Sequence, residues 1–234
     1  MKIEPNIVYE DNHVIVVVKP YNVPVQEDES KDLDLLTIIK NYIKERDKKT
    51  GNVFLGLVHR LDRPTGGVMV FAKTSKAASR LSAELKKKEL KKHYLCVVNG
   101  RPQILENSLT TYLKKDEKNN IVKIAPKLET GAKEATLNYK VIETKDKLSL
   151  IKVDLITGRS HQIRVQMAKQ LNLPIYGDFK YGDNLHKSNL ALWSYELTFT
   201  HPTTKQVMRF VAQPDYTNSI FKLFEKTIEE LINN

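Results

Sequence analysis

With 234 residues and 41% hydrophobic side chains, the chain is long enough for one large domain or two small ones around a real core. Lys and Arg number 38 against 28 Asp and Glu, and the net charge of +10 points to nucleic acid or an anionic membrane surface, beside the plainer reading of a merely basic soluble enzyme. The single cysteine, Cys96, excludes an internal disulfide and a multi-cysteine zinc site. No apolar run approaches the roughly 18 residues of a membrane span, and Met1-Lys2-Ile3-Glu4-Pro5 lacks the apolar stretch of a signal peptide, so a cytoplasmic protein without membrane contact is expected.

Val14 to Val18, a run of β-branched residues, reads as a buried strand, and the prolines of Lys19-Pro20-Tyr21-Asn22-Val23-Pro24 end it in a turn. Residues 32–47 place Leu35, Leu36, Ile39, Tyr42 and Ile43 at helical spacing against a charged face. Residues 55–58 and 68–72 read as strands on either side of a polar motif. A helix is predicted over 75–90, with Ser75 as its N-cap and Ala78, Leu81 and Leu85 on its apolar face. Strands are expected at 93–98, where Cys96 reads as a buried structural thiol, and at 107–113, 121–125, 134–143 and 148–155, with a hairpin loop at 115–120. Residues 160–171 read as a helix, 190–200 and 206–212 as a hairpin across His201-Pro202-Thr203-Thr204, and 217–232 as a closing helix. Many hairpins with few helices give an α+β fold on a mostly antiparallel sheet. No repeat or linker-like shift divides the chain, so a single domain over 1–234 is expected.

Two dense polar clusters carry the chemistry. His59-Arg60-Leu61-Asp62-Arg63-Pro64-Thr65-Gly66-Gly67 sets one carboxylate between two guanidinium groups and ends in a tight turn; a positive charge nearby favours an ionised carboxylate. Thr157-Gly158-Arg159-Ser160-His161-Gln162-Ile163-Arg164 is the second. There is no phosphate-binding Gly loop followed by Lys-Ser/Thr, no dinucleotide fingerprint, and the six histidines lack metal-ligand spacing. What remains is an Asp acting with Arg partners, without metal or cofactor, on an anionic polymer. Residues 73–101 add nine Lys/Arg against two Asp/Glu, a solvated face or a phosphate-binding one; Lys86, Lys87 and Lys88 are its densest run.

The first cluster resembles the His-Arg-Leu-Asp-x-x-Thr-Ser-Gly motif of the RluA family of RNA pseudouridine synthases. In the family's order follow segments similar to its opening strand (Tyr9 to Pro20), its Lys-x-Tyr strand (Lys92-His93-Tyr94), its Gly-Arg-x-His-Gln-Ile-Arg element (158–164) and its Gly-Asp-x-x-Tyr-Gly turn (177–182). Gly66 stands where the family usually has Ser, and Trp193 where His is common. Because the resemblance to the catalytic domain begins almost at the first residue, the S4 RNA-binding domain that precedes it in many relatives is not expected here. The resemblance implies a bent, mixed central sheet flanked by helices, and isomerisation of a uridine within RNA: detachment at the N-glycosidic bond, rotation, and rejoining through carbon, with no cofactor. It implies Asp62 as the acting carboxylate, Tyr94 as the ring that stacks on the uracil, and Arg164 as the partner that orients Asp62 or, alternatively, a phosphate contact. Arg60 would fill the gap left by the flipped nucleotide or bind a phosphate. His59, Arg63, Thr65, Arg159, His161 and Gln162 complete the expected RNA-binding set with Lys86, Lys87 and Lys88; the two histidines are expected to serve as structural hydrogen-bonders.

An RNA-binding protein or RNA chaperone that has lost catalysis on the same fold is the alternative. A glycosidase would want two carboxylates flanking the bond, and neither cluster supplies a second; Asp178, in a Gly-flanked turn, reads as a structural cap. The expected partner is a stem-loop of ribosomal RNA or tRNA, bound by a monomer.

Overall fold

The computed structural model describes residues 4–182 and 188–233, so His186 lies outside the described residues. They fold as an α+β protein whose strand pairs with assigned register are all antiparallel. Two compact units form: residues 1–91 with 194–212, and residues 92–193 with 213–234.

In the first unit, β1 (Asn6–Glu10) pairs with β2 (Val14–Lys19), which pairs in turn with β4 (Gly66–Ala72); the two-residue β3 (Gly56–Leu57) flanks β4. Val14 to Val17 and Val68 to Ala72 are all 0% exposed, so both faces of β2 and β4 are covered and their sequences run apolar without alternation. Helix α1 (Leu35–Arg46) buries Leu35, Ile38, Ile39 and Ile43, and its N-cap Asp34 accepts from the Thr37 N–H at 3.0 Å. Helix α2 (Ser75–Lys86) buries Ala77 and Leu81. Its N-cap is Thr74, whose hydroxyl accepts from the Ala77 N–H at 3.1 Å, rather than the expected Ser75: both residue types cap well, and the extended backbone falls at 74. The long strand β10 (Leu192–Thr200) returns to this unit and pairs with β11 (Val207–Val211). The turn between them is held by His201, whose Nε2 lies 2.8 Å from Asp11 Oδ2, and by Arg80, which donates to the Pro202 carbonyl at 2.7 Å.

In the second unit, β5 (Lys91–Asn99), β6 (Glu106–Asp116), β7 (Ile121–Ile124), β8 (Lys133–Lys145) and β9 (Leu148–Leu155) form an antiparallel array in spatial order β5-β9-β8-β6-β7. β6 runs on to Asp116, beyond the expected 107–113, because its polar end pairs with β7 through a hairpin. Cys96 is fully buried in β5 and its thiol is pushed up to about 12 by burial. The helix expected over 160–171 is instead one short α-turn, α3 (Gln162–Val165), followed by a π-turn over Gln166–Gln170. The closing helix enters through a 3-10 turn (Ile220–Phe224) and becomes α-helical as α4 (Glu225–Asn233). It docks on β8 through Thr227, which donates to Glu143 at 2.5 Å, and through Lys145, which donates to the Leu223 carbonyl at 2.9 Å. No helix among the described residues is long and apolar enough to cross a membrane.

Candidate active site

The first unit carries the His59–Gly67 segment. Asp62 is partly exposed and opens a turn closed by the Thr65 N–H donating to the Asp62 carbonyl at 2.9 Å. That turn is fastened from below by Lys19, the last residue of β2. Its side chain is 0% exposed, and its ammonium donates to the carbonyls of Pro20 (2.9 Å), Arg63 (2.9 Å) and Thr65 (2.8 Å). Burial pushes Lys19 down to about 7, against the upward pull of the Asp62 carboxylate and with a smaller push from Arg63. The sequence reading assigned Lys19 nothing; its only signal was a charged residue on the same strand face as Ile15 and Val17, where a core residue belongs. Gly67 follows with φ of +125°, and a Cβ there would lie 2.2 Å from the Ser194 carbonyl oxygen, so the close approach of β10 requires glycine. Gly66, where the family usually has Ser, is the buried first residue of β4.

Around the turn the expected RNA-binding residues separate by task. His59 is buried and accepts from the Val70 N–H at 3.2 Å, which fixes the segment to β4. Arg63 reaches sideways: Nε donates to the Asn22 carbonyl (3.1 Å), Nη1 to Ser30 Oγ (2.9 Å), and Nη2 pairs with Asp32. It thereby staples the 22–32 loop, a task its motif did not announce. Thr65 is 2% exposed and its hydroxyl has no hydrogen-bond partner among the described residues. Arg60 is exposed. Lys86, Lys87 and Lys88 lie exposed at the C-terminal end of α2, where positive charge also complements the helix dipole.

The second unit carries Tyr94 and the 157–164 segment. Tyr94 lies on β5 opposite Val153 and is 4% exposed. Gln162 is buried, accepts from Thr157 Oγ1 (2.8 Å) and the Arg159 N–H (3.1 Å), and donates to the Thr136 carbonyl (3.1 Å). These bonds give it a loop-holding task. Arg159 donates through Nε to the Glu134 carbonyl at 2.9 Å. His161 takes left-handed backbone at the start of α3, φ +51°, and its Nδ1 lies 2.6 Å from the Tyr181 hydroxyl. That hydroxyl also accepts from the Val122 N–H at 2.8 Å.

Arg164 is 5% exposed and donates two parallel bonds to Asp178: Nε to Oδ2 at 2.8 Å and Nη2 to Oδ1 at 2.7 Å. Its guanidinium stands 5.1 Å from the centre of the Tyr181 ring. Asp178 also accepts the N–H groups of Lys180 (3.0 Å) and Tyr181 (3.1 Å), so the cap expected at this turn is a cap and the carboxylate partner of Arg164 at once. No cluster of His, Cys, Asp or Glu suited to a metal ion occurs among the described residues. The arrangement offers one carboxylate on a stiffened turn in the first unit, and a clamped arginine and a strand tyrosine in the second.

The family model of RNA pseudouridylate synthases matches residues 13–169, which include both polar clusters. The chain belongs to the RNA pseudouridylate synthase family. It is 33% identical to the ribosomal large subunit pseudouridine synthase C of Buchnera aphidicola, over 95% of this chain and 70% of that protein. It is likewise 33% identical to the ribosomal large subunit pseudouridine synthase D of Neisseria meningitidis, over 88% of this chain and 57% of that protein. An uncharacterized RNA pseudouridine synthase of Bacillus subtilis is 31% identical over 88% of this chain and 67% of its own length. The chain therefore spans between 57% and 70% of the length of these relatives. The solved structure of human RNA pseudouridylate synthase domain containing 4 shares the fold, with a TM-score of 0.77 at 21% identity over 97% of this chain and 92% of that one. As a member of this family the chain is an RNA isomerase, and the resemblance read from its five motifs is that of the family shown.

Proposed function

We propose that the chain converts specific uridines of ribosomal RNA to pseudouridine, with Asp62 as the acting carboxylate. The observation that carries this reading is the turn at 62–65: a fully buried ammonium gathers the Arg63 and Thr65 carbonyls beneath a partly exposed Asp62. A turn so fastened keeps a carboxylate in place while its substrate moves. The ribosomal substrate is supported by relatives named for it, and it puts the enzyme in the cytoplasm.

In the overall change, the bond from C1′ to N1 breaks, the uracil turns, a bond from C1′ to C5 forms, and the proton lost from C5 is balanced by one gained at N1. Asp62 serves this sequence as nucleophile or proton carrier. Tyr94 is the stacking ring for a uracil drawn out of its helix, a removal that costs a few kcal/mol and is offset by about 1–3 kcal/mol of stacking. Arg164 is the arginine that the motif pairs with the catalytic carboxylate, and the Asp178 clamp holds its guanidinium in a fixed orientation. Arg60 and the basic segment at 73–101 supply contacts to the RNA backbone.

The test is incubation of the protein with unmodified large-subunit ribosomal RNA and with unmodified tRNA, followed by carbodiimide labelling and primer extension. New stops at one or a few uridines of the ribosomal RNA are expected. Stops in tRNA alone would move the substrate, and binding without stops on either RNA would favour a binding protein that has lost catalysis.

A further inference from the structure

The strand that carries Tyr94 also carries Lys92, a buried member of the basic segment at 73–101. Lys92 is 7% exposed, and among the described residues its ammonium has neither a carboxylate nor a hydrogen-bond partner. Lysines buried to this degree are almost always paired. Burial holds this ammonium below the ordinary lysine value.

Two neighbours indicate what would complete it. Successive side chains of a strand alternate, so Lys92 and Tyr94 leave the same face of β5, about 7 Å apart. The ammonium also abuts the backbone of the second polar cluster: a Cβ on Gly158 would lie 3.2 Å from Lys92 Nζ, closer than the side chain tolerates without shifting. Glycine at 158 thus lets the backbone of the second cluster lie close against this ammonium.

We propose that Lys92 binds a phosphodiester flanking the target uridine, with Gly158 leaving space for the phosphate oxygen. The inference rests on the functional reading above, since it places a uracil at Tyr94. A phosphate suits the site because each nucleotide brings a fixed negative charge within one sugar of its base. Lysine meets such a group as a point charge with three donors.

The experiment compares wild type, Lys92→Met, Lys92→Arg and Gly158→Ala on a ribosomal RNA transcript that wild type modifies. It reads affinity across salt concentrations, the single-turnover rate at saturating enzyme, and the melting of each protein. Lys92→Met is expected to bind about tenfold more weakly. Its salt slope should be smaller by about 0.7, with the saturated rate kept. Lys92→Arg should retain most of the affinity, and Gly158→Ala, which leaves Lys92 in place but crowds it, should weaken binding without changing the slope as far. Unchanged affinity and slope in Lys92→Met would overturn the proposal and leave Lys92 a packing stem. A fall in the saturated rate with affinity intact would also overturn it and move Lys92 to charge on the base. Should Lys92→Met melt early, Gly158→Ala decides, because it removes no packed side chain. If wild type modifies no RNA at all, the functional reading fails and the assignment of Lys92 falls with it, an outcome separate from an active wild type indistinguishable from its variant.

Discussion

At the scale of single residues, the most consequential group is Lys19. Its ammonium does what backbone pairing cannot do at a tight turn: it gathers three carbonyls that point toward one place. Lys19→Met keeps the length of the stem and removes all three donors. Unfolding by denaturant should show a loss of about 3 kcal/mol or more, and the single-turnover rate should fall further than stability alone explains, because Asp62 stands on the loosened turn. The pH dependence follows from the direction of the shift. Folded Lys19 gives up its proton at about 7 and the unfolded lysine near the ordinary lysine value of 10.5, so between them the unfolded chain binds more protons. The contribution of Lys19 to stability is then fully present above pH 10.5 and is lost as pH falls toward 7. The stability gap between wild type and Lys19→Met, followed by denaturant unfolding from pH 6 to 10, should widen as pH rises. Lys19 was not legible as a turn-holding lysine in the sequence: a charge at the end of an apolar run shows its partners only once the fold supplies them. The turn that carries Asp62 was legible, since Pro64 and two glycines follow it in the sequence itself.

At the scale of elements, both helix ends and the π-turn depart from pattern in informative ways. Helix α2 closes with the Lys88 N–H donating to the Leu85 carbonyl (3.0 Å) and the Glu89 N–H to the Glu84 carbonyl (3.1 Å), with Lys88 at φ of +63°. This is a Schellman closure with lysine where glycine fits best. Lys88→Gly should raise stability by about 0.5–1 kcal/mol in thermal unfolding while weakening RNA binding, a split that separates the charge from the backbone. In the second unit, Asp178→Asn removes the carboxylate charge from a buried guanidinium; a loss of about 3–5 kcal/mol is expected in denaturant unfolding. The helix expected at 160–171 was drawn from the spacing of Ile163, Met167 and Leu171, and that spacing cannot report a change of winding. Gln166 explains the change in part: it is 0% exposed, and its amide donates to the carbonyls of Leu109 and Ala135 on neighbouring strands, both at 3.3 Å. A polar side chain in an apolar position answers to partners far along the chain. The strands read well by contrast, because Val14 to Val17 and Val68 to Ala72 are covered on both faces and so are apolar throughout.

At the scale of the whole molecule, the net charge of +10 belongs with the RNA substrate of the family, and the 73–101 segment holds much of it. Lys86, Lys87 and Lys88 are exposed at one helix end. Their joint change to Ala should reduce the salt slope of RNA binding by about 0.7 per lost contact, leaving the saturated rate unaltered; an unchanged slope would show a merely solvated face. The family was legible because five motifs recur in order along nearly the entire chain. The boundaries of the two compact units fall at the start of β5 and within β10, in strands where composition does not change.

The most direct test of the central assignment is Asp62→Asn, which keeps the shape of the side chain and removes its charge. Wild type and variant would be compared in single turnover on a ribosomal RNA transcript carrying a mapped target uridine, with RNA affinity and melting temperature measured beside the rate. Loss of pseudouridine formation with folding and RNA binding retained is the predicted result. A variant that still forms pseudouridine at a rate near that of wild type would contradict the assignment and place the reaction's carboxylate elsewhere in the chain.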